Sequence, residues 1–291
     1  MDDSLKKILN KKNIKLLNID ILDKNQLKKI NKDYNLIFHL AAVIGVRHVL
    51  KSPYDVLTKN FKLLENIILL AKDQINLDRF VFASTSEVYS GTLANYGLTF
   101  PTPESTTLSI HNLSDARSSY MLSKIYGEAL CFSSGLPVTV IRPHNFYGPR
   151  MGLSHVIPEL MDKIVKTNNG KIDVFSVDHK RTFCYIKDAV EMIILLIESK
   201  KSVGEFYNLG NDNNEIDMER LGNMIINTIS KDIKINSIIS RNGSPVRRCP
   251  DIQKFSKIVN YKQKYSLSDG LKETFRWYDK YIFSNKGVTA I

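Results

Sequence analysis

The sequence predicts an α/β fold built on a parallel sheet. Short apolar runs alternate along the chain with segments in which apolar residues recur every three or four positions. This alternation is typical of βαβ units with right-handed crossovers. A group of hydroxyl and carboxyl side chains, at residues 84–89, directly follows one apolar run. Open α/β sheets bind their ligands at such strand ends, so this is the first candidate site.

The predicted elements follow in chain order. Strands are predicted at residues 14–19, 35–40, 80–84, 137–142, 172–175 and 206–209. Helices are predicted at residues 56–72, 157–166, 188–199, 218–230 and 267–281, with one more that carries Tyr120 and Lys124 and ends near residue 133. Residues 91–114 contain Pro101, Pro103 and many Ser and Thr, so a long loop is predicted there.

Size and charge narrow the class of protein. A chain of 291 residues that is 43% hydrophobic can form one large domain or two smaller ones. The net charge of +11 comes largely from Lys in polar runs. We interpret these as solvated surface, which would also suit an anionic small ligand, and expect no nucleic-acid partner because no nucleic-acid motif accompanies the charge. The alternative is a basic nucleic-acid-binding protein, and its DNA binding would weaken steeply as the salt concentration rises.

Cysteines and hydropathy bear on location. Cys131, Cys184 and Cys249 lie far apart and lack metal-binding spacing, so reduced thiols and no metal site are expected. The longest apolar run, near residues 193–197, is far too short to span a bilayer. We therefore expect a cytoplasmic protein without a membrane partner.

Tyr120 and Lys124 form the most informative pair of residues. They lie four positions apart, so on a helix their side chains share a face. A nearby ammonium favours the phenolate of a tyrosine, whose free pKa is about 10. Such a tyrosine can take a proton from a hydroxyl group. The same spacing also occurs by chance on solvated helices, so the pair indicates a catalytic site only in combination with the motifs around it.

Seven motifs occur in an order that resembles the extended short-chain dehydrogenase/reductase superfamily, in its NAD-dependent nucleotide-sugar epimerase/dehydratase branch. They are the segments at residues 39–42, 84–89, 120–124, 142–150, 181–188, 207–210 and 247–251. The resemblance covers nearly the whole chain. It implies a Rossmann-like NAD-binding domain at residues 1–143, to which residues 181–210 return, and a smaller α/β domain at residues 144–291 that binds the nucleotide sugar.

The resemblance also implies roles for individual residues. Tyr120 would be the acid/base, Lys124 its electrostatic partner, and Thr85 a hydrogen-bonding partner of the reacting sugar hydroxyl, with Ser86 and Glu87 beside them in the catalytic group. The positions that match cofactor contacts are Asp20, Ile21, Leu40, Ala41, Ala42, Asn60, Ser84, Tyr120, Lys124 and Pro143. Asn145, Arg181 and Arg248 would hold the nucleotide diphosphate, since forked guanidinium donors match phosphate oxygens.

The implied reaction passes through a 4-keto sugar, with NAD recycled. The trio Thr85-Ser86-Glu87 resembles that of UDP-glucuronate decarboxylases, and 4-epimerases differ from it more often at Glu87. Glu87 is either a second acid/base or a helix cap. The resemblance also implies a homodimer. The alternative is a non-catalytic remnant that binds nucleotide sugars.

The chain departs from the family pattern at its beginning. Family members open with a strand, a glycine-rich turn and a helix that bind the pyrophosphate, whereas the first glycine here is Gly45. The first βαβ unit is therefore expected to be absent. Three explanations remain open: a coding sequence that starts further upstream, an inactive remnant, or a partner that supplies the unit.

We predict that the 291-residue chain binds NAD weakly, because no glycine-rich turn precedes the Ala41-Ala42 motif. Its melting temperature should therefore rise little in millimolar NAD. Thermal unfolding with and without NAD tests this, and a large upward shift would contradict it.

Overall fold

A computed structural model describes residues 2–239 and 245–284, without the side chains of residues 46 and 47. The helices are α1 (Asp3–Leu9), α2 (Lys24–Leu27), α3 (Val46–Lys51), α4 (Pro53–Lys72), α5 (Ser90–Tyr96), α6 (Ser118–Phe132), α7 (Val156–Lys166), α8 (Ile186–Glu198), α9 (Met218–Ile229), α10 (Gln253–Ser256) and α11 (Leu267–Tyr278). Short 3₁₀ turns lie at Ser86–Tyr89 and Lys200–Ser202, and a π-helical turn at Asp279–Phe283.

The strands are β1 (Leu36–His39), β2 (Arg79–Ala83), β3 (Val138–Pro143), β4 (Phe146–Tyr147), β5 (Lys171–Phe175), β6 (Lys180–Arg181), β7 (Cys184–Tyr185), β8 (Glu205–Leu209), β9 (Ile216–Asp217), β10 (Lys234–Ile238) and β11 (Arg247–Arg248). The largest sheet has the order β1-β2-β3-β8, and all of its neighbours run parallel. A parallel sheet explains why the central strands are almost continuously apolar, since both faces are covered.

The two faces of this sheet are buried by different helices. Phe80 and Phe82 of β2 point to one face and pack with residues of α4 and α6, including Leu64 and Cys131. Val81, between them, points to the other face and packs with residues of α8. The alternation follows from the two-residue period of a strand. The helix that carries Tyr120 and Lys124 is therefore fixed directly against β2 and β3.

A second hydrophobic core lies further along the chain. It is formed by the apolar faces of α7, α9 and α11 together with β5 and β10 side chains, and it includes Tyr147, Met161, Ile172, Ile225 and Leu271. The start of the chain contacts this region: Asp2 caps α1 and accepts hydrogen bonds from Arg150 and Trp277. No helix of the described ranges is long and apolar enough to cross a membrane.

The strand predicted at residues 14–19 is absent; this segment is irregular. A strand needs a neighbour to pair its backbone N–H and C=O groups, and within the described residues β1 ends the sheet on this side and pairs only with β2. Leu16 is 66% exposed, while Ile19 and Ile21 still pack against the core of the sheet. Within residues 14–19 the apolar pattern therefore reflects the packing of Ile19 against the core and not strand pairing.

The long loop predicted at residues 91–114 contains a helix, α5. Thr92 stabilises it against the rest of the segment, since its hydroxyl donates to the Thr107 carbonyl and accepts from the Ser109 amide. Gly91 permits this contact: a Cβ there would lie 1.8 Å from the Ser109 carbonyl oxygen. Thr, one of the residue types on which the loop prediction was based, here stabilises close packing of a helix. The other predicted strands and helices are present, with ends shifted by a few residues.

Candidate active site

The candidate site lies at the carboxyl ends of β2 and β3, where α6 passes over the sheet. Lys124 is 4% exposed, and its Nζ donates a hydrogen bond of 2.7 Å to the Ala83 carbonyl at the end of β2. The same Nζ lies 4.9 Å from the Phe82 ring centroid and 5.8 Å from that of Tyr120. The Thr85 side chain lies close enough to the Tyr120 hydroxyl to lower its pKa. The structure thus brings Thr85, Tyr120 and Lys124 together.

The pKa values in this group differ from the sequence-based expectation. Burial raises the pKa of Tyr120 to about 12; the Thr85 side chain lowers the value and the charge of Glu87 raises it. Burial also lowers the pKa of Lys124 to about 8. The expectation of a lowered Tyr120 pKa is therefore wrong for the ligand-free chain, because burial disfavours the phenolate more than the neighbouring groups favour it.

Thr85, not Glu87, caps the short turn that follows β2. The Thr85 hydroxyl accepts a hydrogen bond from the Glu87 amide at 3.2 Å, which leaves the Glu87 carboxylate free to accept one from Arg248. Of the two interpretations of Glu87, the helix cap is thereby excluded. Ser86 is buried in the same turn and lines a cavity beside this ion pair, together with Phe100 and His144.

Two arginines meet next to Glu87. Strands β6 and β11 run parallel in a register that places Arg181 opposite Arg248. Arg181 is 8% exposed, and its guanidinium donates to the Lys180 and Pro245 carbonyls. Burial, followed by the charge of Arg248, lowers the pKa of Arg181 to about 10, against the opposing charges of Glu87 and Glu215. A bound anion would relieve this crowding of positive charge.

Asn145 directly follows β3 with a φ of 46°, a left-handed conformation that asparagine tolerates. Its Nδ2 donates to the Thr182 carbonyl at 2.9 Å. Because Thr182 is the neighbour of Arg181 in the chain, this bond links the end of β3 to the strand that carries the arginine. The three residues predicted to bind the diphosphate thus belong to one connected region.

The predicted cofactor residues lie around the ends of β1 and β2. Leu40 and Ala41 are exposed and Ala42 half-buried. Asn60 fixes the turn after them: its Oδ1 accepts from the Val43 amide, and its Nδ2 donates to the Val43 carbonyl and the Ser123 hydroxyl.

The remaining cofactor residues differ in exposure. Asp20 is exposed and accepts a hydrogen bond from the Leu22 amide, and the Ile21 carbonyl accepts from Asn66. Ser84 is buried and its hydroxyl donates to Glu128, while Pro143 is half-buried at the end of β3. The described residues contain no glycine-rich turn for a pyrophosphate, since Gly45 is the first glycine.

A buried polar network supports the site and was not anticipated from the sequence. Glu128 accepts hydrogen bonds from Arg142 Nε and Nη2 and from the Ser84 hydroxyl, at 2.9, 2.6 and 2.5 Å. Arg142 Nη1 also donates to the Tyr89 hydroxyl, which in turn donates to Asn208. The sequence did contain one indication of this network: Glu128 follows Lys124 by four residues, so on a helix the two side chains share a face.

This combination of a parallel sheet and a Tyr120–Lys124 helix at its carboxyl edge defines a Rossmann-like, nucleotide-binding protein. The chain belongs to the NAD dependent epimerase/dehydratase family, whose model matches residues 2–210. NAD is the cofactor that defines this family of enzymes.

Relatives and solved structures are similar over most of the chain. A UDP-N-acetyl-alpha-D-glucosaminuronate decarboxylase of Bacillus cytotoxicus is 30% identical, covering 91% of this chain and 83% of the relative. A UDP-glucuronate 4-epimerase of Thermodesulfobacterium geofontis is 28% identical, and the match covers 94% of this chain and 82% of the relative. The structure of a UDP-glucuronic acid 4-epimerase from Bacillus cereus with UDP-glucuronic acid and NAD superposes with a TM-score of 0.76 at 25% identity, over 95% and 85% of the two chains.

The low pKa of Lys124 predicts a particular pH dependence of stability. Folding lowers this pKa from 10.5 to about 8, so between these values the unfolded chain binds more protons and the stability contributed by Lys124 rises with pH. We expect Lys124→Met to be more stable than the parent at pH 7, by roughly 1–3 kcal/mol, and the difference to shrink towards pH 10.

Urea unfolding at several pH values measures this difference. Lys62→Met, a change at an exposed position of α4, is the matched control and should show no such trend. A difference for Lys124→Met that stays constant or widens between pH 8 and 10 would contradict the prediction.

Proposed function

We propose that this chain converts a UDP-linked uronic acid through a 4-keto sugar intermediate, as a decarboxylase or a 4-epimerase. The observation that carries the proposal is the group Thr85, Tyr120 and Lys124 beside the Glu87–Arg248 ion pair. The two relatives and the solved structure described above are named for enzymes of UDP-linked uronic acids.

Tyr120 and Thr85 are proposed to act on the sugar hydroxyl at carbon 4. Thr85 hydrogen-bonds and orients that hydroxyl, and Tyr120 accepts its proton as the carbon is oxidised. Bound NAD supplies the hydride acceptor for this oxidation. In the complex with substrate, the Lys124 ammonium is proposed to favour the phenolate of Tyr120 that the step requires, against the burial that raises the Tyr120 pKa in the ligand-free chain. Proton return from Tyr120 would accompany reduction of the keto sugar.

The two arginines are proposed to bind the acidic parts of the substrate. Arg181 and Arg248 lie opposite each other and form a forked donor set suited to a diphosphate. Asn145, on the connected end of β3, would add an amide donor. An acidic substituent on the sugar would compete with Glu87 for Arg248, which favours a uronic acid over a neutral sugar.

The residues proposed to hold NAD are those around the ends of β1, β2 and β3. Ala41, Ala42, Ser84 and Pro143 would border its ribose and nicotinamide, with Lys124 as a ribose contact, and Asp20 would contact the adenine. Leu40, Ile21 and Asn60 would shape the intervening surface.

We also propose a division of the chain into an NAD-binding domain at residues 1–143 and a substrate domain at residues 144–291. The second core around α7, α9 and α11 supports this division.

Replacing Tyr120 by Phe should reduce turnover by about 10²–10⁴-fold, the usual contribution of a positioned acid/base. Tyr126→Phe, on the exposed side of the same helix, is the control and should retain activity. The assay follows UDP-glucuronate, UDP-N-acetylglucosaminuronate, UDP-glucose and dTDP-glucose by mass spectrometry and NMR of the products, because epimers have equal masses. Turnover by Tyr120→Phe within a few-fold of the parent would refute the mechanism.

The same panel separates the proposed reactions. Loss of carbon dioxide identifies a decarboxylase, and a product of unchanged mass with inverted carbon 4 identifies an epimerase. If calorimetry detects binding of UDP-sugars and no substrate is turned over by the parent, the chain is a non-catalytic nucleotide-sugar binder.

We infer that the chain forms a homodimer through α4 and α6. These helices pack together, with the Phe61 and Tyr126 rings 4.1 Å apart, and their outer face exposes Tyr126, Leu69 and Phe132 by 40–49%. Light scattering should give twice the chain mass, and Tyr126→Glu should dissociate the dimer whereas Tyr96→Glu, on α5, should not. A monomeric parent would overturn this inference.

A cytoplasmic location is also proposed, consistent with three unpaired, buried cysteines.

A further inference from the structure

We propose that Glu128 is a positioning residue of the active site. Its carboxylate ties the end of β2, which leads into Thr85, to the helix that carries Tyr120 and Lys124, and it supplies the negative charge that faces the Lys124 ammonium. The proposal rests on the proposed function, because the catalytic roles of Thr85, Tyr120 and Lys124 are part of it.

The first argument is geometric. Ala83 and Ser84 are consecutive residues at the end of β2, and each is bonded to α6. The Ala83 carbonyl accepts from Lys124 Nζ at 2.7 Å, and the Ser84 hydroxyl donates to Glu128 Oε1 at 2.5 Å. Lys124 and Glu128 lie one turn apart on the same face of the helix. Thr85, the next residue, therefore starts from a segment held at two successive positions.

The second argument is that Glu128 is itself held in one place. Arg142 of β3 binds both of its carboxylate oxygens, and both side chains are buried, 3% exposed for Arg142 and 7% for Glu128. Arg142 is in turn bonded to Tyr89, in the turn that Thr85 caps. The carboxylate thus joins β2, β3 and α6, and a forked guanidinium pair of this kind has little freedom to move.

The third argument concerns charge. The titratable groups that face Lys124 are His39 on β1 and Tyr120, Glu128 and Cys131 on α6. Burial, followed by the charge of Lys124, lowers the pKa of His39 to about 4, so this ring is neutral at pH 7. Burial raises the pKa of Tyr120 and of Cys131 to about 12, so both stay protonated.

Cys131 and Glu128 are the two acidic groups that oppose the effect of burial on the Lys124 pKa, in that order. Because Cys131 stays protonated at pH 7 whereas Glu128 is the carboxylate of an ion pair with Arg142, we assign the negative charge that faces the ammonium to Glu128. Arg142 shares this negative charge, which limits how strongly it acts on Lys124. Without the negative charge of Glu128, the pKa of Lys124 would fall and the lysine would become neutral at a lower pH. A neutral lysine would no longer favour the phenolate of Tyr120.

The experiment measures the pKa of Lys124 directly, by NMR of protein labelled at lysine Cε and Nζ, with Lys124→Met to assign the signal. In Glu128→Gln the pKa of Lys124 should fall by about 1 unit, the scale on which a neighbouring charge acts. In the double variant Glu128→Gln/Arg142→Gln it should fall less, because the unpaired guanidinium is removed as well. Ser84→Ala removes one hydrogen bond and no charge, so the pKa should stay at the parent value.

The variants distinguish charge from general disturbance of the fold. Circular dichroism identifies variants that have unfolded. If the unpaired Arg142 prevents Glu128→Gln from folding, the titration is carried out on the double variant Glu128→Gln/Arg142→Gln instead. An unchanged Lys124 pKa in the folded glutamine variants would overturn the proposal, and so would an equal fall in Ser84→Ala. Where the parent turns over a substrate, the high-pH limb of its rate profile should move down with the lysine pKa. Absence of turnover in the parent would count against the proposed function alone, since the NMR titration needs no substrate.

Discussion

The buried ion pair between Glu128 and Arg142 is the interaction on which the candidate site depends. It joins a helix to two strands of the sheet, and through Ser84 and Tyr89 it reaches the turn that Thr85 caps. Breaking such a pair by removing one partner typically costs about 3–5 kcal/mol, because the other charge is left buried and unpaired. Stability and geometry are coupled here, since the same atoms that hold the sheet to α6 also hold the reactive side chains in place.

The site combines two regions with different tasks. Residues at the carboxyl ends of β1, β2 and β3 provide small side chains, hydroxyls and the Tyr120–Lys124 pair, in the place where parallel sheets bind ligands. The arginines come from short strands beyond the sheet, β6 and β11, and Arg248 forms an ion pair with Glu87. The proposed roles of these two regions, sugar chemistry at the sheet edge and diphosphate binding by the arginines, would suit a nucleotide-sugar substrate.

The sequence predicted the helix of Tyr120 and Lys124, the apolar strands and the ends of the sheet at which polar residues gather, because periodicity and strand-end position are local properties. It did not predict the high pKa of Tyr120, since the burial that raises this pKa arises only when α6 packs in the folded chain. Residues 14–19 had the pattern of a strand, but pairing depends on a neighbour that the pattern does not reveal. Glu128 was missed for a related reason: a carboxylate on a helix looks solvated until its partner on β3 is known.

The position of β8 has a consequence for how this chain folds. Thr139 of β3 pairs with Glu205 of β8, and the intervening segment contributes α7 and side chains of the second core. The central sheet therefore cannot be completed on the ribosome until residues beyond 209 have emerged. Contacts this far apart in sequence carry a large loop-closure cost and slow the search for the native state. A nascent chain that ends near residue 200 would expose the unpaired edge of β3, an aggregation-prone surface that makes chaperone assistance during synthesis advantageous.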